Sequence, residues 1–178
     1  MFLTAETRTQ SGFTLVELLL VVSIIAILSG FLIPGFSNYI DSQNVLQANE
    51  VLKSDLRSAQ NRALTGVDAS SGTTNYWGIK ISMQNAPYYY TFKSAANSAA
   101  ECNSVNLASA IKSETLPGGV VVRDGSGACV FFSMKNGDAT FQNNGGSTTL
   151  KVGYSGQSYC DGVDVNSVGM IRTVDLCP

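Results

Sequence analysis

FTLVELLLVVSIIAILSGFL, which occupies residues 13–32, is the stretch that decides how this chain is organised. It is twenty residues long and Glu17 is its only charged residue. A helix of about 20 residues is about 30 Å long, which matches the hydrocarbon core of a bilayer. The stretch therefore predicts a membrane-spanning helix near the start of the chain, followed by one globular domain of ordinary size.

A cleaved secretory signal and a plain membrane anchor both explain this stretch less well. A secretory signal has a basic segment before the apolar run and a small-x-small cleavage site after it. Here only Glu6 and Arg8 precede the run as charges, and residues 34–36 are Pro, Gly and Phe. A plain anchor leaves Glu17 unexplained, because a lone carboxylate in a membrane helix costs about 2.5–3.5 kcal/mol and normally has a partner.

Residues 11–17, SGFTLVE, resemble the type III signal motif of the type IV pilin family, which reads Gly, Phe, Thr, Leu, a branched apolar residue and Glu. The resemblance implies that prepilin peptidase cuts between Gly12 and Phe13 on the cytoplasmic side and that the new Phe13 amine is N-methylated. The apolar helix stays on the mature chain. Glu17 takes the place of the family's assembly glutamate, and Pro34 lies where many members carry a helix-bending proline.

The rest of the chain divides into three further parts after a leader at residues 1–12. A transmembrane and assembly helix is predicted over residues 13–35, an amphipathic helix over 36–66 and a β-rich head over 67–178. The amphipathic helix is indicated by apolar residues that recur every three or four positions and so share one face. These residues are Val45, Ala48, Leu52, Leu56, Ala59 and Ala63.

The head is predicted to contain about seven strands, which makes the fold α+β: a long N-terminal helix packed on an antiparallel sheet. The clearest strand starts at Trp77, where Trp77, Ile79, Ile81 and Met83 alternate with small or polar residues, as in a half-buried strand. Turn pairs such as Asn136-Gly137 separate the runs. The other predicted strands are Tyr88–Lys93, Val120–Arg123, Cys129–Met134, Ala139–Phe141, Thr148–Tyr154 and Val168–Val174.

The four cysteines, Cys102, Cys129, Cys160 and Cys177, form no close pair, and the chain contains no histidine. Zinc sites normally use closely spaced Cys or His, so structural disulfides are favoured and the head is placed in an oxidising compartment. Cys102 with Cys129 and Cys160 with Cys177 is the simplest pairing, although four cysteines allow three connectivities.

The composition argues against catalysis and against nucleic-acid binding. The absence of histidine removes Ser-His-Asp and Cys-His arrangements, so we expect no catalytic residues, no cofactor and no metal. The net charge is −2 and the few Lys and Arg residues are scattered singly, which makes nucleic acid an unlikely partner.

Three polar or aromatic clusters are given structural interpretations. Asp161, Asp164 and Asn166 lack the pattern of a dedicated Ca²⁺ loop and are predicted to form a solvated loop. The run from Tyr88 to Tyr90 is predicted to be a strand with at least one face in the core, rather than an adhesive patch. The Gly-Ser-Gly at residues 125–127 is predicted to be a turn and not a phosphate loop.

Residues 52–67, and TLPGGVVV and VFFSMKNGDAT at residues 115–122 and 130–140, are similar to H-type minor pseudopilins of type II secretion and to FimT-like minor pilins. This resemblance implies a structural subunit in the bacterial inner membrane, with its head in the periplasm or outside the cell. Its partners would be other pilin or pseudopilin subunits, prepilin peptidase and the inner-membrane assembly platform. The alternatives are a DNA-binding FimT-like minor pilin in DNA uptake and a membrane-tethered surface binding module.

Overall fold

The computed structural model describes residues 12–66, 74–82, 88–123, 125, 127–145, 147–157 and 159–175, without the side chains of residues 31–35. The predicted leader therefore lies outside the described residues except for Gly12. The chain divides into two compact units, Met1–Ile40 and Asp41–Pro178.

The longest element is the helix α1, Leu15–Leu64. In the first unit, every large apolar residue from Phe13 to Leu28 is at least 49% exposed. Among the residues that the structure describes, no helix meets both the length and the apolarity that crossing a membrane requires. The structure does not describe the side chains of residues 31–35, which belong to the membrane span predicted over residues 13–35. The membrane span and the bend expected at Pro34 therefore stay predictions.

In the second unit, α1 is amphipathic as predicted. The six residues named from the sequence, from Val45 to Ala63, are all buried. The helix ends at Leu64, close to the predicted end at Gly66. Gly66 adopts a φ of 63°, and its N–H donates to the carbonyl of Ala63. Glycine is favoured at such a helix end because the left-handed conformation costs it little.

The described part of the head contains nine strands in two antiparallel sheets, one short α-helix, α2, at Ala99–Ser104, and one 3-10 turn at Pro117–Gly119. The first sheet has the order β3-β2-β1-β5-β6 and the second β4-β7-β8-β9. The strands are β1 Tyr76–Ile81, β2 Tyr89–Ser94, β3 Lys112–Glu114, β4 Val121–Val122, β5 Cys129–Ser133, β6 Ala139–Gln142, β7 Thr149–Gly153, β8 Cys160–Val165 and β9 Ile171–Asp175.

The α+β class is confirmed, but the prediction of about seven strands is wrong. The two strands that were missed are β3 and β8. Strand β3 is three residues long and polar, so it carries no alternation of apolar residues. Strand β8 is buried at every position although it contains Asp161 and Asp164. The prediction that these aspartates lie in a solvated loop is therefore also wrong.

Two clusters of buried side chains lie on opposite faces of the first sheet. The larger one joins α1 to both sheets and includes Tyr89, which confirms the strand predicted for the tyrosine run. The smaller one centres on Phe92, Phe131 and the cysteines of α2 and β5. As a result, β1 is covered on both faces rather than half-buried. A side chain at Gly78 would place its Cβ 2.6 Å from the ring of Phe92.

The predicted disulfide between Cys102 and Cys129 is confirmed, and it ties α2 to β5. Cys160 is also disulfide-bonded. Its predicted partner, Cys177, lies outside the described residues, so the second pairing stays a prediction.

Candidate processing and assembly site

The predicted cleavage bond, between Gly12 and Phe13, lies just before the first turn of α1. Both residues are exposed, Phe13 by 87%. A Cβ built on Gly12 would meet nothing within 4 Å. Packing within the described chain therefore does not require glycine at position 12.

The first turn of α1 is closed by reciprocal hydrogen bonds between Thr14 and Glu17. The Glu17 N–H donates to the Thr14 hydroxyl oxygen over 3.2 Å. In return, the Thr14 N–H and hydroxyl donate to Oε2 of Glu17, each over 3.4 Å. This is a capping box, in which a Thr at the N-cap and a Glu three residues later satisfy two backbone N–H groups of the helix start.

Because of the capping box, the Glu17 carboxylate depends less on a partner molecule for hydrogen-bond donors. From the sequence, this carboxylate was expected to have a partner, because a lone carboxylate in an apolar helix is costly. The structure supplies two donors from Thr14, and the helix dipole favours a negative charge in this first turn. These contacts supply donors but no compensating positive charge. Sequence reasoning missed the role of Thr14, although the Thr-x-x-Glu spacing before an apolar run is a recognised signal for it.

The hydroxyl groups in the apolar stretch are satisfied within the helix. Ser23 donates to the carbonyl of Leu19 and Ser29 to that of Ile25, each over 2.8 Å. Internal bonds of this kind are what an apolar environment demands, because it offers polar groups no other partner. Glu17 is then the acidic side chain of this stretch that can still contact another molecule.

The structure brings only some of the predicted site residues together. Gly12, Phe13 and Glu17 lie within six consecutive residues at the start of α1. Pro34 belongs to the same helix. The bonded pair Cys102 and Cys129 lies in the head and links two of its elements, so its role is structural.

The two carboxylates of β8 are occupied by protein donors. Asp161 accepts from Asn49 over 2.6 Å and from the N–H of Gly162 over 2.8 Å. Asp164 accepts from Thr148 over 2.7 Å and from Arg172 over 2.9 Å. Burial alone would raise the pKa of Asp164, but the bonds from Thr148 and Arg172 outweigh it and lower that pKa. Within the described ranges, no three Cys, Asp or Glu side chains are grouped to hold a metal ion.

Three cations that appear scattered in the sequence lie along one groove of about 560 Å³ on α1. Each has a partner within the chain. Lys53 pairs with Glu50 over 2.6 Å, Arg57 donates to the carbonyl of Ile171 over 3.2 Å, and Arg62 lies 5.1 Å from the ring centroid of Trp77. The contact of Arg57 joins α1 to the second sheet and that of Arg62 joins it to the first, whereas the pair of Lys53 with Glu50 lies within the helix.

Residues 7–33 match the family described as the prokaryotic N-terminal methylation motif. The match covers Gly12, Phe13 and Glu17 and ends one residue before Pro34. It supports a prepilin-type start of the chain, which implies processing by a peptidase and assembly with other pilin subunits. No solved structure matches the chain.

Proposed function

We propose that this chain is a minor pilin or pseudopilin, a structural subunit and not an enzyme. It is cut between Gly12 and Phe13 by prepilin peptidase and then assembled through its apolar helix into a type IV pilus or a type II secretion pseudopilus. The observation that carries the proposal is the methylation motif at residues 7–33, whose cleavage bond is exposed at the start of α1.

The exposed apolar half of α1 supports a location first in the membrane and later in a filament. A soluble monomer rarely exposes a contiguous apolar surface of this extent, and such surfaces mark contacts with membranes or other proteins. Before assembly the helix is held in the bacterial inner membrane, with the head on the periplasmic side. After assembly the same surface packs against the helices of neighbouring subunits.

Glu17 is the residue through which assembly is directed. Cleavage creates a positive amine on Phe13, one residue before the capping Thr14. That amine lies four residues before Glu17, at the start of α1. It can neutralise Glu17 of its own chain or of a neighbour, and in the pilin family the pairing between neighbouring subunits sets the register. The capping box holds the Glu17 carboxylate in the first turn, where such an amine can reach it.

The finer assignment favours an H-type minor pseudopilin or a FimT-like minor pilin. The support is the sequence similarity at residues 52–67, 115–122 and 130–140. The disulfide between Cys102 and Cys129 agrees with a head in the periplasm or outside the cell. The partners in this proposal are other pilin-like subunits, prepilin peptidase and the inner-membrane assembly platform.

DNA uptake is the second candidate, and the groove that holds Lys53, Arg57 and Arg62 is the observation in its favour. A gel-shift assay with duplex DNA at several salt concentrations separates the two candidates. If the chain shifts DNA at low salt and Arg57→Gln weakens the shift, the results would support DNA uptake. We expect no shift, because each of the three cations already has a partner in the chain.

The proposal is tested by Glu17→Val in the native host. The change removes a charge from the apolar stretch, so insertion and membrane abundance are expected to be maintained or improved while filament assembly or secretion is lost. Ser29→Val is the matched control, because it removes a polar group from the same helix without touching the charge. If Glu17→Val assembles as well as the control, Glu17 is incidental to assembly and does not direct it.

A further inference from the structure

The head contains a second cavity, of about 500 Å³, where the outer edge of the first sheet meets the entry to β7. Its volume is within the range of about 300–1,000 Å³ that small-molecule sites occupy. The lining comes from β6, from the loop that joins β6 to β7, and from the turn between β8 and β9. The polar side chains among the lining residues are Thr140, Asn143, Asn144, Ser147, Thr148 and Ser167.

The chemistry of the lining restricts the class of ligand. None of the described residues that line the cavity is charged, so the lining offers an ionic ligand no counter-charge. Six lining side chains end in a hydroxyl or a carboxamide, which both donate and accept hydrogen bonds. One aromatic residue, Phe141, also lines the cavity, and its side chain is half-buried against the main core. A neutral ligand that carries many hydroxyl groups and an apolar ring face fits this lining.

The lining side chains are held in place by bonds that leave other atoms available. Asn143 donates through Nδ2 to Asn103 over 2.9 Å, which leaves its carbonyl oxygen outside that bond. Thr148 donates its hydroxyl hydrogen to Asp164, so its oxygen lone pairs remain. Asn144 holds the loop closed by donating to the carbonyl of Ser147 over 2.6 Å. Such preorganisation lowers the entropy cost of binding.

The backbone of β6 adds a donor and an acceptor. The Ala139 N–H points out of the first sheet and donates to the carbonyl of Ser167. Backbone groups alternate in direction along an antiparallel strand, so the N–H and C=O of Phe141 point to the same side as that N–H. They therefore face the cavity that Phe141 lines.

Asn143 shapes the loop at the mouth of the cavity. It adopts a φ of 59°, the only non-glycine residue with a positive φ among those the structure describes. Asparagine tolerates this left-handed conformation better than most residues. Replacement by glycine therefore keeps the loop geometry while it removes the carboxamide.

We propose that this cavity binds a short neutral saccharide, whose ring packs on Phe141 and whose hydroxyl groups bond to Asn143, Thr148 and Ser167. The inference concerns what the head contacts and is independent of whether the N-terminal helix is cut or assembled. Two other surfaces support no proposal. The cations in the groove on α1 already have partners within the chain, and nothing in the structure shows what covers the exposed Val168 and Met170.

The test is saturation-transfer NMR and calorimetry on the purified full chain in detergent. The neutral probes are N,N′-diacetylchitobiose, cellobiose and maltose, and digalacturonate is the charged probe. We expect at least one neutral probe to bind and digalacturonate not to bind. Ser167→Phe, which fills the cavity, should weaken binding by about tenfold or more, and Asn143→Gly should weaken it to a smaller extent.

Ser155→Phe is the matched control, because Ser155 is an exposed serine in a different turn of the second sheet. It should bind the neutral probe like the wild type. The fluorescence of the buried Trp77 in each variant confirms that the head is folded. The proposal is overturned if no neutral probe binds the wild type, if the folded Ser167→Phe variant binds as well as the control, or if digalacturonate binds at least as tightly as the neutral probes.

Discussion

The side-chain amide of Asn49 donates a 2.6 Å hydrogen bond to the carboxylate of Asp161 and so joins the buried face of α1 to the inner strand β8. Both residues are buried. The second oxygen of Asp161 accepts from Gly162, whereas Oδ1 of Asn49 has no partner among the described residues. A shift of α1 along the sheet would leave a buried carboxylate without this donor. The pair therefore fixes the register between the helix and the second sheet.

Replacing Asn49 by leucine should destabilise the head by about 2 kcal/mol, because a buried carboxylate loses a charge-assisted hydrogen bond while the volume stays similar. Urea unfolding followed through Trp77, the single tryptophan, measures this. Asn61→Ala, an exposed change on the same helix, should cost less than about 0.5 kcal/mol. A fully stable Asn49→Leu variant would show that Asp161 does not depend on Asn49.

Removal of the disulfide by Cys102→Ser together with Cys129→Ser should lower the free energy of unfolding by about 3–4 kcal/mol. The bridged residues are 27 apart in sequence, and a closed loop of this size removes much entropy from the unfolded chain. Denaturant unfolding with and without reductant measures the change. Thiol titration of the denatured, unreduced wild type should find almost no free thiols, and four free thiols would contradict the assignment.

The capping box predicts a difference between two substitutions of Thr14. Thr14→Val keeps the shape but removes the hydroxyl that caps the helix, so the first turn should lose about 1 kcal/mol. Thr14→Ser retains the hydroxyl and should behave like the wild type. Hydrogen exchange at the amides of Glu17 and Leu18 reports the effect. Equal exchange rates in both variants would mean that the first turn is held by something other than this cap.

Asp164 should make the head sensitive to acid. Its pKa is lower in the folded chain than in the unfolded chain, so its ionised form contributes stability above about pH 4. That contribution disappears as the pH falls through the folded-state pKa. Between about pH 5 and pH 3, Asp164→Asn should therefore lose less stability than the wild type does. Parallel curves for the two proteins would remove Asp164 as the cause.

The sequence predicted the elements whose stabilising contacts are local or periodic. The buried stripe of α1 was correct residue by residue, from Val45 to Ala63, because one helix face must pack on the sheets. The core positions Trp77, Ile79 and Ile81 of β1 were correct because alternation in a strand is equally direct, and Met83, predicted on the same face, lies outside the described residues.

Strand β8 was missed because the side chains that bond to its carboxylates lie in other elements. CDGVDV contains two aspartates and a glycine, which are rare inside strands. They are tolerated here because Asn49 and Arg172 reach the two carboxylates from other elements. No local pattern announces such contacts. The cover over the outer face of β1 was missed for a related reason, since it depends on where the disulfide places α2.

At the candidate site, the sequence indicated the cleavage bond and Glu17, but not the hydrogen bonds that the Glu17 carboxylate accepts. Thr14 was read only as part of a motif, and its capping role became clear from the bonds it makes with Glu17. The cavity proposed to bind a saccharide could not be predicted from the sequence, because Phe141, Asn143 and Ser167 come together only where the two sheets meet.

The most direct test of the account is mass spectrometry of the N-terminus of the protein extracted from membranes of cells that contain prepilin peptidase. We predict a chain that begins at Phe13 with a methylated amine. Gly12→Val should remain uncut, whereas Gly30→Val should be cut normally, and at both positions a Cβ meets nothing within 4 Å. An intact Met1, or a terminus near residue 35, would contradict the proposed processing and with it the assignment as a pilin-like subunit.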